Sequence, residues 1–422
     1  MRVPGRCGGT GRSPASNHSN EPGFFVPYGS PLIIQRLADH LAELERRGLF
    51  RRRLVRESSQ GPRITVEGRE FLAFCSNDYL GLAGHPRIVE AAVEGASRFG
   101  VGEGASHLLT GHSVLHARLE KKLAEFVGAP RALLFTTGYQ ANIGTITALA
   151  GADDAVFSDN LNHASLIDGT RLSRAQVVRY PHLDLEFLGE ALSRSRAKTK
   201  LVVTDGVFSM DGDIAPLPAM IELCERNDAL LLVDDAHGFG VMGPHGRGSP
   251  AHFGLNSPRL VYVGTLGKAA GVSGAFVAGV YEVVETVLQR ARTYMYTTAS
   301  PAPLAAAVEA SLQLIWQEEW RRERLRQLID ALKRRLSQTG ALLAPSDTPI
   351  QPLILHGSHE ALAASAALRE RGILVPAIRP PTVPEGSARL RISLSAAHSA
   401  EDVAHLAEAL AETCPSIASA HA

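Results

Sequence analysis

The sequence predicts an α/β fold: a mostly parallel sheet sandwiched by helices, with a small α+β domain at the C-terminal end. Three observations carry this. Five short apolar runs, Ala132–Phe135, Ala155–Ser158, Leu201–Thr204, Leu230–Val233 and Leu260–Val263, lack the polar alternation of a half-solvated strand. That is the signature of strands buried on both faces. Segments of helical period separate them, as parallel strands joined by helical crossovers require. The chain has 422 residues, 45% apolar and 20% charged, enough for roughly two or three domains around at least one large core.

The elements follow in order. Met1 to Tyr28 is rich in Gly, Ser and Pro, carries Arg2, Arg6 and Arg12, and has no acid before Glu21. An organelle transit peptide, a disordered tail and a start assigned too far upstream all fit. With no amphipathic period or apolar h-region, a tail over residues 1–29 is the expectation. Ser30-Pro31 reads as an N-cap with proline at the first helical position. Ile33, Ile34, Leu37, Leu41 and Leu44 then recur at helical spacing up to Gly48. A hairpin from Ile64 to Phe74, turning at Gly68, completes an N-terminal segment over 30–75. The large domain is expected over 76–300, with helical patterns at Leu115/Leu119/Leu123/Phe126 after Ser113 and at Leu217/Ile221/Cys224. From about Pro301 one long helical stretch runs to about Ser337. A βαβ-like tail follows, with a strand at Gln351–Leu355, a helix from about His359, and strands near Ile373–Val375 and Leu390–Leu394. Residues 301–422 are read as the small C-terminal domain.

Composition excludes several classes. Lysine plus arginine total 43 and aspartate plus glutamate total 43, a formal net charge of zero. A chain that tracks nucleic acid or an anionic membrane normally carries a basic excess, so neither is expected, although a local basic pocket is allowed. Cys7, Cys75, Cys224 and Cys414 are scattered and form no CxxC pair. A disulfide scaffold, a structural zinc or another metal site is not expected, and a reducing compartment, the cytoplasm, is. The charge-free stretch Ala132–Ala152 is interrupted by Thr136, Thr137, Gln140, Asn142 and Thr145, which a bilayer span could not bury.

Ligands of open α/β sheets bind beyond the carboxyl ends of the strands. Three consecutive strands here lead into Asp205-Gly-Val-Phe-Ser-Met-Asp-Gly, Asp234-Asp-Ala-His-Gly and Gly264-Thr-Leu-Gly-Lys268. Lys268 could be a solvated turn lysine or part of a phosphate loop. The latter needs GxxxxGK followed by Ser or Thr; Ala269 follows here, and Tyr262 stands where the first glycine belongs. Held among small residues, Lys268 could instead form a Schiff base. Asp234 ends a very apolar strand, where a carboxylate is costly without a cationic partner; a protonated pyridine nitrogen would serve. His237, three residues on, could reach a neighbouring phenolic oxygen. Thr136-Thr-Gly138-Tyr139-Gln-Ala-Asn142 follows a strand and opens a helix, offering N–H groups to an anion. Ser209 and Thr265 add hydroxyls.

With these residues assembled, the sequence resembles the α-oxoamine synthases. The stretches that carry the resemblance are Ser76-Asn-Asp-Tyr-Leu-Gly-Leu, Gly102 to His116, Asn162-His-Ala-Ser-Leu, Gly206-Val-Phe-Ser-Met-Asp-Gly-Asp, Asp234-Asp-Ala-His-Gly and Gly264-Thr-Leu-Gly-Lys. The resemblance covers about Arg51 to the end of the C-terminal domain. The resemblance implies a pyridoxal 5'-phosphate enzyme of fold type I with a seven-stranded-type sheet. It implies Lys268 as the Schiff-base lysine and acid–base group, Asp234 on the pyridine nitrogen, His237 on the phenolic oxygen and His163 stacked on the ring. Gly138, Tyr139, Ser209 and Thr265 would hold the cofactor. Thr297 and Thr298 would reach the phosphate of a partner subunit, making a homodimer with shared sites. Arg391 would clamp the amino-acid carboxylate, with Arg51 and Asn77 lining the substrate entrance. The segments Ala377-Ile-Arg-Pro-Pro-Thr-Val-Pro and Ala388-Arg-Leu-Arg-Ile-Ser-Leu-Ser-Ala-Ala-His are similar to the branch that joins L-alanine to a pimeloyl thioester of CoA or acyl carrier protein. Asp205 stands where several members of that branch have glutamate and where the glycine C-acetyltransferase branch commonly has aspartate. That branch, or a secondary-pathway condensing enzyme, is the alternative.

Overall fold

The structure, a computed structural model, describes residues 31–338 and 343–413. The expected tail over 1–29, Ser30, Cys7 and Cys414 fall outside the described residues. The chain divides into two compact units, Met1–Val55 and Arg56–Ala422. In the first, Leu32–Arg46 forms a helix capped by Pro31. Proline stands just outside the helix and not at its first position, because its ψ of 143° is extended.

The second unit opens with the hairpin: β1 (Arg63–Val66) pairs antiparallel with β2 (Arg69–Ala73), Val66 opposite Arg69. Glu67 and Gly68 turn the chain at φ 53° and 73°. Two left-handed central residues match the twist of the flanking strands, and glycine bears the second at no steric cost.

Seven strands form the central sheet. They are β3 (Arg131–Phe135), β4 (Ala155–Asp159), β5 (Gln176–Tyr180), β6 (Lys200–Asp205), β7 (Leu230–Asp234), β8 (Leu260–Thr265) and β9 (Ala275–Gly279). Their spatial order is β3-β9-β8-β7-β6-β4-β5. β8, β7, β6, β4 and β5 are mutually parallel, and β9 runs antiparallel to both its neighbours. β5 and β9 add to the five apolar runs. β5 is an edge strand that exposes Gln176, Val177 and Arg179, so it carries no continuous apolar run. β9 is buried, but Ala-Phe-Val-Ala-Gly is short and small.

Alternate residues on the inner strands feed opposite layers. Leu201, Val203, Leu232, Val261 and Val263 pack with Ala141, Ile146, Leu166 and Val284. Val202, Leu231, Val233 and Phe157 pack with Leu188, Leu192, Leu217 and Ile221. Each fully buried aliphatic side chain contributes about 1.5–3 kcal/mol relative to exposure, so this double cover explains why the strands read as unbroken apolar runs.

Two expectations change beyond Ser300. The long helical stretch is two helices, Ala302–Gln317 and Glu319–Ser337, broken at Glu318, whose ψ of 64° leaves the helical region. The tail is not a βαβ unit. β10 (Ile350–His356) leads through the helix Ser358–Glu370 to β11 (Ile373–Leu374), which joins the hairpin parallel to β2. A separate antiparallel sheet is completed by β12 (Ala377–Ile378) and β13 (Ala388–Ser393), in the order β10-β13-β12. Period two along β13 sends Leu390 and Ile392 into the main core and leaves Arg389 and Arg391 to face the loop after β6. No helix among the described residues is long and apolar enough to cross a membrane.

Candidate active site

Strand direction brings the site together. β6, β7 and β8 are parallel, and their register sets Asp205 beside Asp234 and Asp234 beside Val263. β3 is antiparallel to β9, which is antiparallel to β8, so β3 ends on the same edge as its parallel counterparts. There the helix Gly138–Leu149 begins. The result is a cavity of about 360 Å³, lined among others by Asn77, Gly138, Tyr139, His163, Asp205, Asp234, His237, Thr265 and Lys268.

One hydrogen-bonded chain crosses it. Lys268 Nζ is 2.8 Å from His237 Nε2, and His237 Nδ1 is 2.6 Å from the Tyr79 hydroxyl. Tyr79 donates to Asn77 Oδ1 at 3.1 Å, which Arg391 Nη1 also reaches at 3.3 Å. Burial, with the charges of Lys268, Arg391 and His163, holds His237 well below the usual histidine range, so its ring is neutral. One assignment then gives every donor an acceptor: Lys268 donates to Nε2, and Nδ1–H donates to the Tyr79 oxygen. Burial pulls the Lys268 ammonium down to about 8, against the opposing charges of Asp234 and Asp205.

Asp234 is fixed from two sides: Asn142 Nδ2 donates to Oδ2 at 2.6 Å and the Ala236 N–H to Oδ1 at 3.0 Å. Asn142 also donates to Ser165 at 2.8 Å. Neighbouring Asp205 accepts the His163 N–H at 2.7 Å. Burial and the adjacent Asp234 push the Asp205 carboxyl well above its ordinary value. Like charges on adjacent strands cannot both ionise cheaply, which favours the protonated form of Asp205.

Arg391 is the second electrostatic feature. It is 6% exposed and holds the Ser209 carbonyl and, at 2.9 Å, the Ser393 hydroxyl. The other deeply buried arginines all pair with acids: Arg321 with Glu318, Arg322 with Glu319 and Arg389 with Asp211. Arg391 alone of the four has no carboxylate in ion-pair contact among the described residues. A buried cation in that state is a ready partner for a ligand carboxylate.

Three features fit pyridoxal phosphate. First, the N-terminus of Gly138–Leu149 opens on the cavity. Thr137 Oγ1 accepts the Gln140 N–H at 3.2 Å, leaving the first N–H groups of the helix for an anion. The strand-end Thr265 closes on this turn so tightly that a Cβ on Gly138 would sit 2.7 Å from its methyl carbon. Second, each Asp234 oxygen accepts one bond and keeps a lone pair for a ring N–H. Third, Lys268 is an enclosed amine whose burial brings its pKa down to about 8.

The cavity gathers Lys268, His163, Asp234, His237, Gly138, Tyr139, Thr265 and Asn77. Arg391 joins them through Asn77. Ser209 does not line the cavity; it meets the site through its carbonyl on Arg391. Thr297 and Thr298 do not line it either, and Thr298 is exposed. Arg51 is exposed within the first unit. Sequence reasoning about chemistry passed over Tyr79, Asn142 and Ser165. Asn142 carried the one available signal, a polar side chain one helical turn after Gly138 on the buried face of the helix.

The chain matches the aminotransferase class I and II family over residues 69–410. It is 60% identical over 376 residues to 8-amino-7-oxononanoate synthase of Nitrosospira multiformis, covering 89% of this chain and 95% of the relative. Among solved structures, serine palmitoyltransferase from S. paucimobilis with a bound pyridoxal phosphate–myriocin adduct superposes with a TM-score of 0.86 at 30% identity, covering 92% of this chain and 99% of that one. An 8-amino-7-oxononanoate synthase from Francisella tularensis superposes with a TM-score of 0.72 at 30% identity, covering 81% and 97%.

Proposed function

The chain belongs to the aminotransferase class I and II family, and on that footing we propose how its cavity performs the reaction of its relatives. It is a pyridoxal-phosphate-dependent acyltransferase that condenses L-alanine with a pimeloyl thioester to give 8-amino-7-oxononanoate, the first committed step toward biotin. A bond forms between the alanine α-carbon and the acyl carbonyl carbon, the C–S bond to the carrier breaks, and the alanine carboxylate leaves as CO2.

When bound, the cofactor withdraws electrons from the amino-acid α-carbon and makes its proton acidic. The chain's own residues do the rest. Arg391 receives the alanine carboxylate, its planar guanidinium being able to hold both oxygens. Lys268, neutral for much of its population near pH 8, takes the α-proton on Nζ and later returns one. Asp234, held by Asn142 and the Ala236 N–H, would keep a proton on the ring nitrogen. His163 would cover the face of the bound ring, and His237 would face its phenolic oxygen. Gly138, Tyr139 and Thr265 would hold the phosphate, with Ser209 beside Arg391. In this reading 76–300 carry the cofactor and 301–422 supply Arg391. Thr297 and Thr298, outside the cavity of their own chain, would complete that of a second copy, and Asn77 serves the entrance. The two described cysteines, Cys75 and Cys224, are free, as suits a reducing cytoplasm.

The observation that carries the reading is Arg391, a buried cation with no carboxylate in ion-pair contact among the described residues, wired through Asn77, Tyr79 and His237 to the amine of Lys268. The test is a matrix assay of alanine, glycine and serine against acetyl, succinyl, pimeloyl and palmitoyl thioesters on CoA and on acyl carrier protein, following thiol release. Alanine with a pimeloyl thioester is expected to give the highest kcat/KM. Preference for glycine with acetyl-CoA would overturn the substrate assignment.

A further inference from the structure

The loop that carries Ser209 is anchored at its base by an imidazole between two acids. His182 follows β5. Its Nδ1 is 3.0 and 3.2 Å from the two carboxylate oxygens of Asp159, at the end of β4, and its Nε2 is 2.7 Å from Asp213 Oδ2. Both ring nitrogens face acceptors, so both must donate, and the ring is an imidazolium. Asp159 is held in turn by the N–H groups of Leu161 and Leu183, each at 2.9 Å. Phe208 packs edge-on to the ring, centroids 4.4 Å apart.

Asp213 belongs to the loop itself. The Phe208 N–H donates to the Asp213 carbonyl at 3.0 Å, and Val207 bridges to Ile214, so residues 207–214 form a closed hairpin. Its base is tied to His182. Its tip presents the Ser209 carbonyl to Arg391, and the Met210 carbonyl and Asp211 carboxylate to Arg389. None of His182, Asp159 and Asp213 lines the cavity. Asp159 is buried and His182 and Asp213 are half-buried, so an ionic cluster here carries a desolvation cost, and apolar contacts would hold a loop more cheaply. What an ionic clamp adds is direction, since both ring N–H bonds must point at their carboxylates for the charges to be satisfied.

We propose that the His182 imidazolium is a positioning residue: through Asp213 it sets the place of Ser209, and thereby the aim of the Arg391 guanidinium at the amino-acid carboxylate. The inference rests on the reading of Arg391 given above. Burial works against the charge on His182, but its bonds to Asp159 and Asp213 and their charges hold its pKa at about 10, so the clamp is closed at any working pH.

The test compares wild-type holoenzyme with His182→Gln, Asp213→Asn and Arg391→Lys, measuring kcat, the KM for each substrate, and amide deuterium exchange of residues 206–214. Misplacing a positioning group by a fraction of an ångström costs about tenfold. His182→Gln should therefore raise the alanine KM by about tenfold, with kcat and the thioester KM changed by less than about threefold. Exchange should quicken in 206–214 and not elsewhere. An unchanged alanine KM, or faster exchange throughout the chain, overturns the proposal. Should His182→Gln fail to fold, Asp213→Asn keeps an oxygen for the ring and removes one charge from the more open side; a normal alanine KM there overturns it equally. Arg391→Lys separates the two levels. If it leaves the alanine KM unmoved, the reading of the site fails; if it raises that KM while the other variants do not, only the role of His182 fails.

Discussion

Lys268 Nζ lies 2.8 Å from His237 Nε2, and that contact ties the reacting amine to a chain of hydrogen bonds ending on Arg391. The group that moves the α-proton and the group that receives the carboxylate are therefore parts of one network. Both sit on separate elements of the second unit, Lys268 beyond β8 and Arg391 on β13.

Lys268 titrates near pH 8 because burial disfavours its charged form. The free amine, which must attack the cofactor aldehyde, becomes the main species as pH rises through that value. The rate at which pyridoxal phosphate is captured by the apoprotein should climb along a single ionisation near 8 and level off above it. Stopped-flow absorbance would show this. Lys268→Ala should give no lysine-linked visible band at any pH, and a wild-type protein that stays colourless with added cofactor would contradict the assignment.

Asp234→Asn keeps the size of the side chain and its contact with the cavity but removes the charge that holds a proton on the ring nitrogen. Cofactor should remain bound with a shifted absorption maximum, while kcat falls by about 10²–10⁴-fold. Turnover within about threefold of wild type would refute the role.

Gly138→Val tests the phosphate cradle. Its Cβ would meet the Thr265 methyl carbon at 2.7 Å, forcing the turn and the strand end apart. Cofactor affinity should fall by about tenfold or more, the scale of one lost charge-assisted hydrogen bond, with the circular dichroism spectrum unchanged. Equilibrium dialysis would measure it.

The clamp at His182 also predicts a pH dependence of stability. Its folded pKa, about 10, is raised above the ordinary histidine value of about 6.5, with Asp159 and Asp213 as the opposing charges. A raised folded pKa stabilises fully below the unfolded pKa, and the gain is lost as pH rises through the folded one. The denaturation midpoints of wild type and His182→Gln should therefore differ most at and below about pH 6.5 and converge toward pH 10. A difference that grows with pH would show that the ring is not held as an imidazolium.

The residues along the chain determined a good deal. Unbroken apolar runs at Leu201–Thr204, Leu230–Val233 and Leu260–Val263 mark parallel strands buried on both faces, and parallel strands present their carboxyl ends on one edge. Asp205, Asp234, His237 and Lys268 could be placed in one crevice from that rule, because the rule depends only on local period and chain direction. The hairpin turn at Gly68 was legible for the same local reason. β5 was not, since an edge strand need not be apolar, and neither was the break at Glu318, where one residue leaves the helical region inside an otherwise helical pattern.

Only the tertiary structure decided what holds these groups. Asn77 and Arg391 meet across 314 residues, Tyr79 and His237 across 158, and Asn142 and Asp234 across 92. The pairing of β11 with the hairpin, the aim of β13 at the loop 207–214, and the capture of His182 between Asp159 and Asp213 are likewise long-range. Periodicity reports the face a side chain takes on its own element. Which partner waits on the other side depends on how the elements pack, and that is settled by the burial of the whole core. Local pattern named the reactive groups; packing gave them their partners, their charges and their aim.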